Sequence, residues 1–260
     1  MSGDQPRILL IAERDTVLAR AVEALGRFPT GQGWVLIGGV AVFLRVGTVT
    51  RPTADADTVA RSQAELIQQL VNDGITTIVA GGDIRVPVGD GTVDIDVMDL
   101  ADDPLPLDVE RRTFALARRC ALATAVTEQI IVTDRNHTVI VEAMIPVATV
   151  SALTALKAVS MLRRPHGNHP HKVGSDIHDL VRLVAAGGPR DIATGLVTFD
   201  VELATWIAEQ VGQAFGDDIR YTLLRLRQYD RSPAAQALTD DEIAATVILA
   251  DAVHEQLLDR

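Results

Sequence analysis

The stretch Gly38-Gly39, followed by Arg51-Pro52-Thr53-Ala54-Asp55-Ala56-Asp57, couples a glycine turn to two carboxylates two residues apart. In an extended segment alternate side chains share one face, so Asp55 and Asp57 emerge together with their backbones about 7 Å apart. Hard divalent cations such as Mg2+ take oxygen ligands, and in phosphate chemistry one or two protein carboxylates hold them. The triplet therefore favours a metal clamp, although a solvated turn is the commoner setting for two nearby aspartates.

The residues around the glycine pair predict how it is held. The run Trp34–Ile37 predicts a strand that ends at the glycines, and residues 40–44 predict a helical turn just after them. That turn would offer its first N–H groups to an anion, and glycine would let a phosphate approach the backbone. A second extended segment at residues 53–59 then brings the glycine pair beside the two carboxylates.

A hairpin further along the chain carries a second pair of aspartates. Residues 84–88 and 92–98 predict two strands, and Gly89-Asp90-Gly91 between them is a strong turn signal. Asp94 and Asp96 share one face of the second strand, while apolar residues occupy the other. These aspartates are either further metal ligands or the solvated face of an edge strand.

The order of these residues resembles a known signature. A glycine pair followed about a dozen residues later by R-x-T-x-D-x-D is similar to the pattern of the DNA polymerase β-like nucleotidyltransferase superfamily. Within it, the chain resembles the AbiEii/AbiGii (MenT-like) toxin-type branch. The residues that carry the resemblance are Gly38, Gly39, Arg51, Thr53, Asp55 and Asp57.

The resemblance implies a three-carboxylate metal site and a nucleotide-binding turn. The implied catalytic metal ligands are Asp55, Asp57 and Asp96. Asp94 is the alternative to Asp96, because the sequence does not fix the strand register. The implied cofactor is Mg2+ or Mn2+, with an NTP as substrate. The implied nucleotide-binding residues of this half are Gly38, Gly39, Arg51 and Thr53.

Two segments of the C-terminal half extend the resemblance. Toxin-type nucleotidyltransferases have a helical lysine and, some twenty residues later, a K-D-x-x-D-L helix. Lys157 and the segment from Ser175 to Leu180 are similar to them, except that Ser175 replaces the expected lysine, for which Lys172 is a substitute. The resemblance implies that Lys157 is a catalytic phosphate ligand, that catalytic Asp179 orients Lys157 or a substrate hydroxyl, and that Asp176 takes part in nucleotide binding. The alternatives are a surface lysine and an acidic pair favoured by a helix dipole.

A basic segment with three histidines separates these two helices. Its two prolines and one glycine predict a loop, and it lacks the cysteine or acidic residues that would favour a zinc site. We expect Arg163, Arg164 and Lys172 to meet polyanionic substrate.

Composition limits the classes of function. The chain has 260 residues with 47% hydrophobic content, and no run approaches the roughly 20 apolar residues of a membrane span. With the absence of a signal peptide, this predicts a cytoplasmic protein. The net charge of −11 argues against a general nucleic-acid binder but leaves room for a local basic groove. With only 3% aromatic residues, Trp34, Phe43 and Tyr221 are too scattered to predict a stacking platform.

The expected fold is α/β (α+β). It comprises a minimal nucleotidyltransferase core at residues 1–148, a mixed sheet with flanking helices, and an all-helical domain at residues 149–260. We expect the second domain to contribute its lysine and aspartates to the active-site cleft. Helices are predicted at residues 16–25 and 62–72, the latter opened by Ser62 and Glu65 as a capping box.

The function that the resemblance implies is Mg2+-dependent transfer of NMP from an NTP to an RNA acceptor, the 3′ end of tRNA. Such an enzyme would be the toxin of a type IV toxin–antitoxin system with a cognate antitoxin protein. One alternative is a nucleotidyltransferase acting on a small molecule, of the antibiotic-modifying type, or on a protein. Another is a non-catalytic nucleotide-binding protein, which three converging acids disfavour because they repel one another.

Overall fold

The structure is a computed structural model that describes residues 7–13, 16–31, 33–48, 55–80, 83–100, 104–163 and 172–260. The chain divides into two compact units. The first consists of Met1–Leu100 and Ala121–Thr149, and the second of Ala101–Cys120 and Val150–Arg260. The predicted division into residues 1–148 and 149–260 stays a prediction, and the units depart from it by placing residues 101–120 with the C-terminal helices.

The described residues of the first unit form an eight-stranded mixed sheet. Its strands are β1 (Arg7–Ile11), β2 (Trp34–Ile37), β3 (Asp55–Ala60), β4 (Thr77–Ala80), β5 (Asp83–Val88), β6 (Gly91–Asp99), β7 (Val126–Thr133) and β8 (Val139–Val147). Their order across the sheet is β1-β7-β8-β2-β3-β6-β5-β4. The pairs β1–β7, β2–β8 and β3–β6 are parallel, and the others are antiparallel. The predicted α/β class with a mixed sheet is confirmed.

The local sequence explains the strands that were predicted with clear bounds. Side chains of β5 alternate between exposed and buried, and Gly89 takes the positive φ of +55° at the turn to β6. In contrast, β1 is too short to be assigned from its own residues. It is a strand because it pairs in parallel with β7, whose residues lie about 120 positions later in the chain.

Three helices belong wholly to the first unit: α1 (Val17–Leu25), α2 (Gly38–Val46) and α3 (Gln63–Asn72). The hydroxyl of Ser62 accepts a hydrogen bond from the Glu65 N–H, which is one half of the predicted capping box. Helix α1 packs closely on β8, since a Cβ at Gly26 would lie 2.7 Å from the Cβ of Ala143. Helix α4 (Val109–Ala123) lies where the chain passes from the second unit back to the first.

The described part of the chain after residue 149 contains helices and no strands, as predicted. The helices are α5 (Val150–Arg163), α6 (Val173–Gly187), α7 (Pro189–Phe199), α8 (Val201–Gly212), α9 (Ile219–Tyr229), α10 (Pro233–Gln236) and α11 (Asp240–Leu258), with a π-helical turn at Gln213–Asp217. Thr239 and Glu242 form a full capping box at the start of α11. Among the described helices, none has both the length and the apolar character that a membrane span requires.

Arg45 connects the C-terminal turn of helix α2 to the start of β7 and to the end of β8. The Arg45 guanidinium donates to the Ala148 carbonyl at 2.8 Å, to the Val147 carbonyl at 2.9 Å and to Glu128 Oε1 at 2.7 Å. The side chains of Arg45 and Glu128 are only 12% and 8% exposed. Charge-assisted hydrogen bonds of this kind fix both position and orientation. They hold the C-terminal turn of α2, and thereby the direction of the whole helix.

Replacing Arg45 by methionine should lower the free energy of unfolding by about 3–5 kcal/mol, because it leaves the Glu128 carboxylate buried without its cation. Urea unfolding of the variant measures this loss. The control is Arg135→Met, since Arg135 and Glu13 form a pair at 3.5 Å whose side chains are 84% and 72% exposed. That pair should contribute at most about 1 kcal/mol. Equal losses in the two variants would contradict the role of Arg45 as a clamp.

Candidate active site

Helix α2 begins directly against the carboxylate of Asp57. Ile37 at the end of β2 lies opposite Asp57 of β3, and the chain turns into α2 at Gly38 with a φ of +70°. A Cβ at Gly38 would lie 1.8 Å from Asp57 Oδ2 and 2.6 Å from its Cγ. Glycine fits because it tolerates the left-handed backbone and leaves that space to the carboxylate. The structure thus brings together the glycine pair and the Asp pair.

The first turn of α2 offers backbone donors beside this carboxylate. The helix starts with Gly38 and Gly39, and its N-cap residue, Ile37, makes no side-chain capping hydrogen bond. The first N–H groups of a helix lack intrahelical partners, and the helix dipole makes this end positive. Such a helix end favours an anion such as a phosphate. Phosphate binding at this turn stays a prediction.

The register of β3 against β6 aligns four carboxylates on one face of the sheet. Asp55 lies opposite Asp94, and Asp57 lies opposite Asp96. Residues in register on neighbouring strands point to the same face, and so do residues two apart on one strand. The intervening side chains, such as Ala56 and Ile95, are buried on the other face. The predicted third carboxylate is therefore next to the Asp pair whether it is Asp94 or Asp96.

An arginine distinguishes Asp94 from Asp96. Arg85 on β5 lies opposite Asp94 and donates to both of its oxygens, at 2.7 Å from Nε and 3.0 Å from Nη2. These hydrogen bonds, with the positive charge of the guanidinium, hold the pKa of the Asp94 carboxyl below its usual value. A carboxylate engaged in this fork is less available to a metal ion. The contact favours Asp96 as the third ligand.

The sheet also carries a carboxylate that the sequence analysis did not single out. Asp83 at the start of β5 lies opposite Asp96, so Asp57, Asp96 and Asp83 form one row across three neighbouring strands. Asp83 is exposed. The spacing of Asp83 and Arg85, two residues apart at the predicted hairpin, was the signal that could have placed both on this face.

The carboxylates suit a hard divalent cation by their chemistry and by the register of their strands. Among the residues that the structure describes, however, no three His, Cys, Asp or Glu side chains form a group that could hold a metal ion as they stand. Like charges disfavour close approach of carboxylates, so the side chains of β3 and β6 must rotate toward a cation to share it.

A second cluster of predicted site residues lies in the second unit. Lys157 on α5 is held by two aspartates of α6, with its Nζ 3.1 Å from Asp176 Oδ1 and 2.8 Å from Asp179 Oδ2. The three residues are 8%, 1% and 0% exposed. A surface lysine is thus excluded as a description of Lys157, whereas Asp176 does lie in the first turn of α6, where the helix dipole favours a carboxylate. Two carboxylates and one ammonium leave a formal charge of −1, and their burial strengthens each interaction.

A close contact between α6 and the end of α9 holds the aspartate-bearing helix. A Cβ at Gly174 would lie 2.6 Å from the Asp230 backbone N. One turn along α6, His178 is fully buried with its Nδ1 3.7 Å from Asp230 Oδ2. A side chain at position 174 would push α6 away and disturb the placing of Asp176. Gly174, directly before the predicted helical segment from Ser175 to Leu180, was the sequence signal that could have indicated this contact.

Several predicted site residues lie outside the described part of the chain. These are Arg51, Thr53 and most of the basic loop, including Arg164 and its three histidines. Lys172 is described at the N-cap of α6, where its backbone carbonyl accepts a hydrogen bond from the Ser175 hydroxyl. Ser175, which stands in place of the expected lysine, therefore braces the helix start.

Comparisons with known proteins bear on both clusters. The family model described as "Nucleotidyl transferase AbiEii toxin, Type IV TA system" matches residues 20–248. This range includes the glycine turn, the four carboxylates on the shared face of β3 and β6, and the cluster around Lys157. A comparison with curated protein sequences found no match.

Two solved structures are similar to the chain. One is an antigenic nucleotidyltransferase-like protein from Paracoccidioides brasiliensis, with 18% identity, a TM-score of 0.48, and coverage of 83% of this chain and 94% of that one. The other is a candidate nucleotidyltransferase from H. pylori, with 14% identity, a TM-score of 0.46 and coverage of 94% of both chains. At these values neither similarity carries an argument about function.

Replacing Gly38 by alanine should abolish nucleotide turnover and destabilise the protein, because the new methyl group and the Asp57 carboxylate cannot share the same space. The matched control is Gly47→Ala at the other end of α2, where φ is +76° and no atom lies within 4 Å of the new Cβ. Backbone strain alone should cost the control about 1–2 kcal/mol. Urea unfolding and turnover assays separate the two effects, and similar activity in both variants would contradict the crowding at Gly38.

Removing the Arg85 guanidinium should return the pKa of Asp94 to the ordinary range for aspartate. The pKa of Asp94 is lower in the folded protein than in the unfolded chain, where it is about 3.9. The ion pair therefore stabilises the fold fully above that unfolded pKa. This stabilisation is lost as the pH falls through the pKa of the folded state. The difference in unfolding free energy between wild type and Arg85→Met should therefore be constant above about pH 5 and shrink in acid. A difference that grows in acid would contradict the pairing.

Proposed function

Because the chain belongs to the AbiEii family of nucleotidyltransferase toxins of type IV toxin–antitoxin systems, we propose that it transfers NMP from an NTP to an RNA acceptor, the 3′ end of tRNA, with Mg2+ as cofactor. Its family implies an NTP substrate and a cognate antitoxin. The identity of the acceptor, the requirement for a metal and the roles of individual residues are parts of this proposal.

One observation carries the proposal: the helix N-terminus at Gly38 lies against a carboxylate of a four-aspartate face. Phosphates need donors and positive potential, whereas metal ions need carboxylate oxygens. The contact at Asp57 puts both kinds of group side by side. A triphosphate with its bound metal is the ligand that uses both at once.

The carboxylates of β3 and β6 fit a divalent cation by donor type, and Asp55, Asp57 and Asp96 would hold it. When bound, Mg2+ would neutralise charge on the triphosphate and on the departing pyrophosphate. Asp94 would stay with Arg85. That pair would keep the local negative charge lower than four free carboxylates would give.

The chain's own groups then position the reaction. The Gly38 and Gly39 N–H groups would orient the triphosphate. For Lys157, the role of a phosphate ligand steered by Asp179 rests on the family resemblance. The acceptor hydroxyl oxygen bonds to the α-phosphorus, the bond to the bridging oxygen breaks and pyrophosphate leaves. A carboxylate of β3 or β6 accepts the hydroxyl proton. Lys157 must exchange one of its two carboxylate partners for phosphate to take this role.

A small-molecule acceptor is the second candidate, and the net charge of −11 favours it. An acidic protein repels RNA unless a basic surface is concentrated at the binding site. A protein acceptor or a non-catalytic nucleotide-binding role would share the same Gly38–Asp57 geometry. The fate of the label from an NTP separates these possibilities.

The proposal is tested by incubating the protein with Mg2+, each α-labelled NTP in turn and total cellular RNA. Wild type should label RNA with at least one NTP. Asp57→Asn and Asp96→Asn should lower the rate by orders of magnitude, since each removes a metal ligand. Asp94→Asn is the matched variant on the same strand, and it should retain activity within about tenfold because its carboxylate is already bound by Arg85.

Two results would contradict the assignment of roles. If Asp94→Asn were as inactive as Asp96→Asn, the third ligand would be misassigned. If wild type labelled no RNA with any NTP, the RNA acceptor would be wrong, and labelling of small acceptors would be tested next.

A further inference from the structure

Helix α9 presents an outer face that is basic and aromatic. We call this set of residues the α9 face: Arg220, Tyr221, Leu224, Arg225, Arg227 and Tyr229. All are exposed except Arg225, which is half-buried. Tyr221 and Leu224 are each 60% exposed. The face therefore offers large side chains to a partner.

The buried side of α9 explains why this face points outward. Thr222 and Leu226 are 4% and 2% exposed. The Thr222 hydroxyl donates to the Ala214 carbonyl at 2.6 Å, which fixes the rotation of the helix. Positions three and four residues apart share one side of a helix, so Arg220, Leu224 and Arg227 line up opposite Thr222 and Leu226.

The α9 face reverses the sign of the chain's overall charge. Residues 219–229 include three arginines and no acidic residue, whereas the chain as a whole carries −11. Arg231 adds a further exposed cation just after the helix. The acidic residues nearest in sequence are Asp217 and Asp218, which precede the helix, and Asp230, which is only 7% exposed. The positive charge is therefore concentrated on one helix.

An arginine also supports one of the exposed rings. The guanidinium carbon of Arg225 lies 5.4 Å from the centre of the Tyr221 ring, within cation–π range. This contact restrains the ring while most of the side chain remains accessible. Exposed aromatic rings next to arginines are the elements with which proteins bind RNA, because rings stack on bases and guanidinium groups pair with phosphates.

We propose that the α9 face binds the RNA acceptor, with Arg220 and Arg227 at phosphates and Tyr221 stacked on a base. This inference rests on the proposed function, because it takes the acceptor to be RNA. Charge complementarity selects this occupant: a phosphate backbone gains from all the arginines of the face, which a neutral small acceptor would not need. If the α9 face binds a protein instead, the α9 variants will bind tRNA as the control does.

The first test is the double variant Arg220→Glu/Arg227→Glu. Its matched control is Arg190→Glu/Arg260→Glu, which changes the net charge equally at exposed arginines elsewhere in the same unit. Filter binding of labelled, unfractionated tRNA at several salt concentrations gives Kd. The slope of log Kd against log salt concentration falls by about 0.7–0.9 for each phosphate contact that is lost. Loss of two contacts should therefore raise Kd roughly 25- to 60-fold at about 0.1 M salt. The control should retain the affinity and slope of wild type, and both variants should bind NTP as wild type does.

The second test separates stacking from charge. Tyr221→Ala should weaken tRNA binding at least about fivefold without changing the salt slope, and Tyr221→Phe should restore it, because the ring and not the hydroxyl does the stacking. If the double charge reversal does not fold by circular dichroism, Arg220→Gln/Arg227→Gln replaces it with half the charge change.

The outcomes distinguish this inference from the proposed function. If wild type transfers label to RNA while the α9 variants bind and label RNA like the control, the α9 face is not the RNA surface and the inference is overturned. Equal weakening in variant and control would also overturn it, because net charge and not position would matter. If wild type neither binds nor labels RNA, the proposed acceptor fails, and retained NTP binding would show that only the RNA assignment is lost.

Discussion

The structure of the first unit depends on one close contact, between the backbone of Gly38 and the carboxylate of Asp57. Any side chain at position 38 would occupy the space of that carboxylate, and the left-handed backbone there already favours glycine. The contact sets where β2 ends, where α2 begins and which end of α2 faces the acidic side of β3. Arg45 completes the constraint at the other end of α2, where it binds β7 and β8.

The negative charge of the aspartates is offset differently on the β3–β6 face and in the cluster around Lys157. On the sheet, four aspartates of β3 and β6 share one face, and Arg85 binds Asp94 among them. In the proposed site, Asp55, Asp57 and Asp96 would hold a cation. In the second unit Lys157 contacts both Asp176 and Asp179 while all three are buried, so one cation offsets part of the charge of two carboxylates. Buried charges that lack partners would be strongly destabilising, so this cluster fixes α5 against α6.

Local signals in the sequence were enough for much of the fold and for part of the candidate site. Gly89-Asp90-Gly91 specified the β5–β6 hairpin, and Ser62 specified the start of α3, because turns and caps depend on a few adjacent residues. Long-range pairing could not be read this way. The strand β1 is a strand because it pairs with β7, and the argument that favours Asp96 over Asp94 needs the cross-strand position of Arg85. Arginines stand near Tyr221 in the sequence, but only the structure shows that its ring is exposed and lies against Arg225.

The central claim is that Gly38 and the carboxylates of β3 and β6 form one metal–nucleotide site. The most direct test is titration of Mn2+ by electron paramagnetic resonance in the presence of a non-hydrolysable NTP, comparing wild type with Asp57→Asn and Asp94→Asn. Bound Mn2+ in wild type and Asp94→Asn, with loss of at least about tenfold in affinity for Asp57→Asn, is the expected result because only the latter loses a ligand. Mn2+ binding that is unchanged by Asp57→Asn would contradict the site.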